Sequence, residues 1–217
     1  MAAGFTTVIP AQPVSTPVTQ WIENPELGRE RGPVGLLRAW VEVLVRPRQF
    51  FRTQVAPGDQ APGITFAAAV VLVAEAIRIG VFGGGHPVVG GQPALSAVLW
   101  VLVATVLIAP AGIHLTAALQ TVLLMAVVEN RAGVSETVQV ICYALAPCAF
   151  VGAPGVWIQA LVVLWGAGLL VLGVASVHDI HPAAALAVVA VPAVLVFGYG
   201  FGGTETIPAV WNRVVGY

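Results

Sequence analysis

Five apolar runs, each long enough to cross a bilayer, constrain this chain more than any other feature. They cover residues 62–82, 95–128, 135–152, 156–176 and 182–203. A hydrocarbon core about 30 Å thick takes about 20 helical residues, so each run predicts a transmembrane helix. Composition agrees, because 58% hydrophobic and 9% charged residues exclude a water-soluble domain, where about a quarter of residues are charged. The predicted fold class is therefore all-α: a polytopic membrane protein with five transmembrane helices over 62–203, preceded by an interfacial amphipathic helix. Residues 204–217 form a C-terminal tail.

The second run is long enough for either one kinked helix or two tight passes, with Pro110 and Gly112 near its middle. Arginine placement favours one pass. Arg38, Arg46, Arg48 and Arg52 precede the first span and put the N-terminus in the cytoplasm, while the loop GGGHPVVGGQP has no arginine and suits the outside. A single second pass then returns Arg131 to the cytoplasm and leaves the C-terminus outside, with Arg213 as the exception to the rule.

All nine basic residues are arginine and none is lysine. Together with abundant Ala, Val and Gly this reads as a GC-rich coding bias, and the expected location is the cell membrane of a prokaryote. The net charge of −1 argues against a nucleic-acid partner, which would demand a concentrated basic surface. Residues 1–33 are rich in Pro, Thr, Gln and Glu and predict a disordered cytosolic tail; plain disorder is the expectation for the stretch TQWIENPEL within it too, with a partner-binding peptide around Trp21 as the alternative. No signal-peptide pattern opens the chain.

Residues 34–54 carry the densest charge. Arg38, Glu42 and Arg46 recur at helical spacing, opposite Leu36, Leu37, Trp40, Val41, Val43 and Leu44. At about 1.5 Å per residue the helix is too short to span, and Pro47 ends it. The membrane-interface residues expected from this pattern are Arg46, Pro47, Arg48, Phe50, Phe51 and Arg52. The arginines meet anionic headgroups and the two rings dip into the acyl boundary. Packing of the helix on the protein's own spans is the competing expectation.

Within the spans, Glu75 and Arg78 lie three residues apart on one helical face, and an intramembrane charge pair of this kind faces the bundle or water. Candidate partners of Glu75 are Arg78, His114, Gln120 and Gln139. His178, Asp179 and His181 could chelate a metal, but Pro182 directly after them fits a polar turn opening the last helix, so no metal or other cofactor is expected. Cys142 and Cys148 lie six apart on one helix and predict no disulfide. Ser135 is an expected N-cap with Glu136 in the first turn, and Pro147 predicts a kink that frees the carbonyl of Tyr143.

In order along the chain come an interfacial helix ending in P-x-x-F-F (Pro47, Phe50, Phe51), two spans and a short Gly-containing turn at Ala132–Gly133. A span with Y-A-x-x-P (Tyr143, Ala144, Pro147) follows, then two spans with Trp157, Trp165, Gly166 and Gly168. This arrangement, over residues 34–203, resembles the Yip family of integral membrane proteins, related to Rab-GTPase-interacting proteins of the secretory pathway. The turn departs from the Gly-Gly frequent there. The resemblance implies five helical spans and a cytosolic N-terminus. It implies no established activity for prokaryotic members, and in eukaryotes trafficking, curvature and GTPase binding.

No nucleophile arrangement, phosphate-binding glycine loop or zinc-protease motif is present. The expected function is non-enzymatic: organising a membrane with anionic lipids, or recruiting a cytosolic protein partner through the N-terminal region. The alternative is a small-solute or ion transporter or channel using a polar site around Glu75.

Overall fold

The structure, a computed structural model, describes residues 23–24, 28–29, 32–129 and 131–216. The expectation of a disordered tail falls almost wholly outside these residues. Of that region, Glu23–Asn24 and Gly28–Arg29 pair as a two-residue antiparallel ladder. The helices among the described residues are α1 (Pro33–Val45), α2 (Pro47–Gln54), α3 (Ala61–Glu75), α4 (Pro93–Val103), α5 (Ala109–Val127), α6 (Val134–Ala144), α7 (Val156–Val177), α8 (Pro182–Ala193) and α9 (Gly203–Val215). Pro33, Pro47, Pro93 and Pro182 each take the first position of a helix, where the missing amide hydrogen costs nothing and φ is already set.

Three of these helices change winding without breaking. α3 continues as π-helix over Ala76–Val81, α4 joins α5 through a π stretch at Ala104–Ile108, and α8 continues as π-helix over Val194–Gly200. Among the described residues, four helices are thus long and apolar enough to cross a membrane: Ala61–Val81, Pro93–Val127, Val156–Val177 and Pro182–Gly200. They are spans one, two, four and five. Span three is the shorter apolar helix Val134–Phe150.

Span three is the centre of the bundle. Its residues from Thr137 to Ala149 are all buried, and α3, α5 and α7 pack around it. The kink expected at Pro147 is present: α6 gives way to a 3₁₀ turn over Ala146–Phe150. The tighter winding rises about 2 Å per residue, so a segment short in residues still approaches the hydrocarbon thickness. The start of this helix differs from expectation. Gly133 is the N-cap residue, and the Ser135 hydroxyl is buried without a hydrogen-bond partner among the described residues, since Val134 and not Glu136 begins the helix; Glu136 does occupy the first turn.

Span two is one unbroken helix of 35 residues, so the chain does not reverse at Pro110. Packing supports a single pass independently. A Cβ on Gly63, early in span one, would touch Gln139 and Cys142, early in span three, whereas one on Gly152, just past span three, would meet Ala74 and Arg78, late in span one. Spans one and three therefore run parallel, with one crossing between them.

The C-terminal segment is not a loose tail. Gly202 adopts a left-handed φ of 75° that ends span five and opens α9. α9 packs against span four, with the Thr206 hydroxyl donating to Gln159 Oε1 at 3.1 Å. Ile207, Trp211 and Val214 form an exposed apolar stripe on its other side.

Candidate functional site

The arginine-rich N-terminal segment forms a shelf docked on the bundle. Gly35, Ala39 and Val43, one helical turn apart, are buried, and their small size lets α1 approach closely. The Trp40 indole donates to the Ala146 carbonyl at 2.7 Å, and its ring lies 5.4 Å from that of Phe150. Arg46 sits in a non-helical conformation (φ −131°, ψ 54°) between the two helices, as its position before Pro47 demands.

Phe50 and Phe51 do not reach the acyl boundary; they are 2% and 1% exposed within the protein. Phe50 stands edge-on to Tyr143 at 4.8 Å, Phe66 lies 5.1 Å from Tyr143, and Phe51 packs over Gly173 of α7. The expectation of lipid insertion is corrected here for a physical reason: helix α2 places both rings on the side facing spans three and four, where aromatic partners hold them. The apolar face that α1 leaves exposed is instead Val34, Leu37, Val41 and Val45. Arg46, Arg48 and Arg52, which follow it in the chain, are exposed as well.

A second feature lies among the spans. Residues of all five line a cavity of about 460 Å³. Arg78 closes on Glu75 through Nη2–Oε2 at 2.6 Å and Nε–Oε1 at 3.4 Å, and its Nη1 donates to the Gly85 carbonyl at 2.6 Å. The Trp100 indole donates to the same Glu75 oxygen at 3.0 Å. Of the expected partners of Glu75 only Arg78 is one. His114 is exposed and bonds the Pro110 carbonyl, Gln120 bonds Val188, and Gln139 makes a two-way amide pair with Ala56. All three π stretches contribute to the cavity wall through Arg78, Ala104, Ile108, Leu195, Val196 and Gly200.

This network predicts an order of variants. Glu75→Gln keeps an acceptor for Trp100 and Arg78 and shifts stability by less than about 1 kcal/mol, whereas Glu75→Ala strands both donors at a cost of about 2 kcal/mol. The cost falls below that of a fully buried pair because the Arg78 side chain is 32% exposed. Thermal unfolding in detergent reads both.

The order of segments matches a known domain. A family model described as the Yip1 domain covers residues 41–204, from the middle of α1 to the start of α9. The chain belongs to the Yip1 domain family. No curated protein and no solved structure matches it.

Within this Yip1 domain, two motif pieces far apart in sequence meet in space. Phe50 and Phe51 of P-x-x-F-F join Tyr143 of Y-A-x-x-P in one aromatic cluster, with Ala144 fully buried beside Tyr143 and Pro147 initiating the 3₁₀ turn. The motif thus fixes the N-terminal shelf to the central span. The Tyr143 hydroxyl has no hydrogen-bond partner among the described residues, so the ring and not the phenol carries the contact.

The His-Asp-Ile-His turn of the Yip1 domain divides its histidines between two backbone tasks. His181 accepts the Ala183 amide at the start of α8. His178, 2% exposed, accepts the Ala132 amide at Nδ1 (3.2 Å), which leaves its proton on Nε2 facing Thr137 Oγ1 at 3.4 Å. It therefore ties the turn before span three to the end of span four. Burial, reinforced by the nearby Arg131 charge, holds its pKa down at about 4 against 6.5 for a free histidine.

The unfolded chain takes up this proton first, so stability present above pH 6.5 is lost as pH falls towards 4. A loss of roughly 2 kcal/mol is expected over that window. His178→Asn keeps an acceptor for Ala132 and should flatten the difference. Unfolding midpoints of both proteins from pH 7 to 4.5 check it.

Proposed function

We propose that this Yip1 domain protein is non-enzymatic and organises its membrane by holding anionic lipids against the α1–α2 shelf. One observation carries the reading: exposed Arg46, Arg48 and Arg52 follow directly in the chain on an exposed apolar stripe, Val34, Leu37, Val41 and Val45, on helices whose opposite faces are docked on the bundle. An apolar stripe beside basic side chains fits the headgroup boundary, where each arginine contributes about 1 kcal/mol towards an anionic surface. The rigid docking holds these charges in place without ordering them on binding. A cytosolic protein recruited through the N-terminal region would meet the same face. The arginine distribution favours a cytoplasmic shelf and an external α9, and the location proposed for the protein is a cell membrane.

The test uses the full chain reconstituted in mixed phosphatidylcholine and phosphatidylglycerol bilayers, with retained lipids counted by native mass spectrometry. The wild type should retain phosphatidylglycerol in excess, less so at high salt. The triple variant Arg46→Gln, Arg48→Gln, Arg52→Gln should lose that excess while unfolding at the same temperature. Equal retention by both proteins contradicts the proposal.

A further inference from the structure

We infer that the cavity among the spans is a binding site for a single-chain lipid with an uncharged, hydrogen-bonding head, of the monoacylglycerol class. This site is separate from the shelf.

Its shape comes first. Trp100 and Thr116, sixteen residues apart on span two, both line it. That separation corresponds to roughly 24 Å of helix, so the cavity of about 460 Å³ extends lengthwise among the spans. An elongated, mostly apolar cavity of this length and volume suits a single extended hydrocarbon chain.

Its chemistry is polarised along this length. Glu75, Arg78, Trp100 and Gln159 cluster towards the Gly85 end, while Val71, Ile113 and Leu145 form the wall further in, with Thr116 the polar residue there. Glu75 and Arg78 neutralise each other, and the remaining Arg78 amine is taken by Gly85. A charged head would have to break this pair or remain uncompensated beside it, at a cost that a hydroxyl or ester avoids. The amide nitrogen of Gln159, whose oxygen is occupied by Thr206, has no partner among the described residues and offers a donor for that head.

The site also has an entrance from the bilayer. Spans two and five pack through α5 and α8, but α4 makes no comparable contact with the π stretch of span five or with α9. Ile108, Gly112 and Leu195 belong to the cavity wall and are exposed on the surface as well. The three π stretches concentrate here, and such windings recur where helices are shaped around a ligand.

The experiment places the full chain in phosphatidylcholine nanodiscs with a monoacylglycerol carrying a photoreactive diazirine on its chain. Labelling should saturate, map to the region of Ile113 and Leu145, and be competed by monooleoylglycerol at least about tenfold better than by oleate or lysophosphatidylcholine. Gly112→Phe should abolish it without lowering the unfolding temperature, because a Cβ at Gly112 meets nothing within 4 Å and the ring can fill the cavity. Labelling that persists in Gly112→Phe, that never saturates, or that oleate competes equally well overturns the inference.

Discussion

Gly152→Val should be the most damaging single substitution in the bundle, destabilising the protein by about 3 kcal/mol or more. A side chain there would press on the Ala74 carbonyl oxygen and come within 2.8 Å of the Arg78 amide nitrogen. Both are backbone atoms of span one, so no rotamer change relieves the clash; the two parallel spans must separate. Arg78 would move with its backbone, so the ion pair with Glu75 should loosen in the same variant. Gly85→Ala is the control, since a Cβ there meets nothing within 4 Å. Thermal unfolding in detergent should show a large drop for the first and none for the second.

The second large effect separates the two roles of the arginine- and phenylalanine-rich segment. Phe50→Ala and Phe51→Ala should each cost about 3–4 kcal/mol, as expected for aromatic side chains removed from a packed interior. Substituting the exposed arginines should change stability in detergent by no more than about 0.5 kcal/mol. Tyr143→Phe should be neutral or mildly stabilising, because it deletes a buried hydroxyl that bonds nothing among the described residues. Equal unfolding temperatures for the phenylalanine variants and wild type would mean that the rings are not held in the bundle.

The contrast shows what the sequence could convey. Apolar runs of bilayer length announce the spans, because lipid rewards a hydrophobic surface all round. The fate of Phe50 and Phe51 was not legible, since lipid and protein interior select the same side chains and helical periodicity alone cannot tell them apart. Glu75 and Arg78 stood out as charges in an apolar run. Trp100 did not, because an indole in a span looks like any other large apolar residue until its N–H is found on a carboxylate. The π stretches depend on packing between spans and leave no local pattern. Helix α9 was concealed differently: Glu205 and Arg213 break its apolar run, although Ile207, Trp211 and Val214 recur at helical spacing. The separate tasks of His178 and His181 were likewise out of reach, because the Ala132 amide is distant in sequence and is brought in only by the packing of spans three and four.

The role proposed for the shelf depends on which side of the membrane it faces, and five crossings with a cytoplasmic N-terminus would put the shelf in the cytoplasm and α9 outside. Single cysteines at Arg48, Gln92, Arg131 and Arg213, in a background lacking Cys142 and Cys148, can be probed in intact cells with a membrane-impermeant thiol reagent. Five crossings with a cytoplasmic shelf predict labelling at positions 92 and 213 and protection at 48 and 131 until the membrane is permeabilised. Labelling at 131 together with protection at 213 would contradict the account.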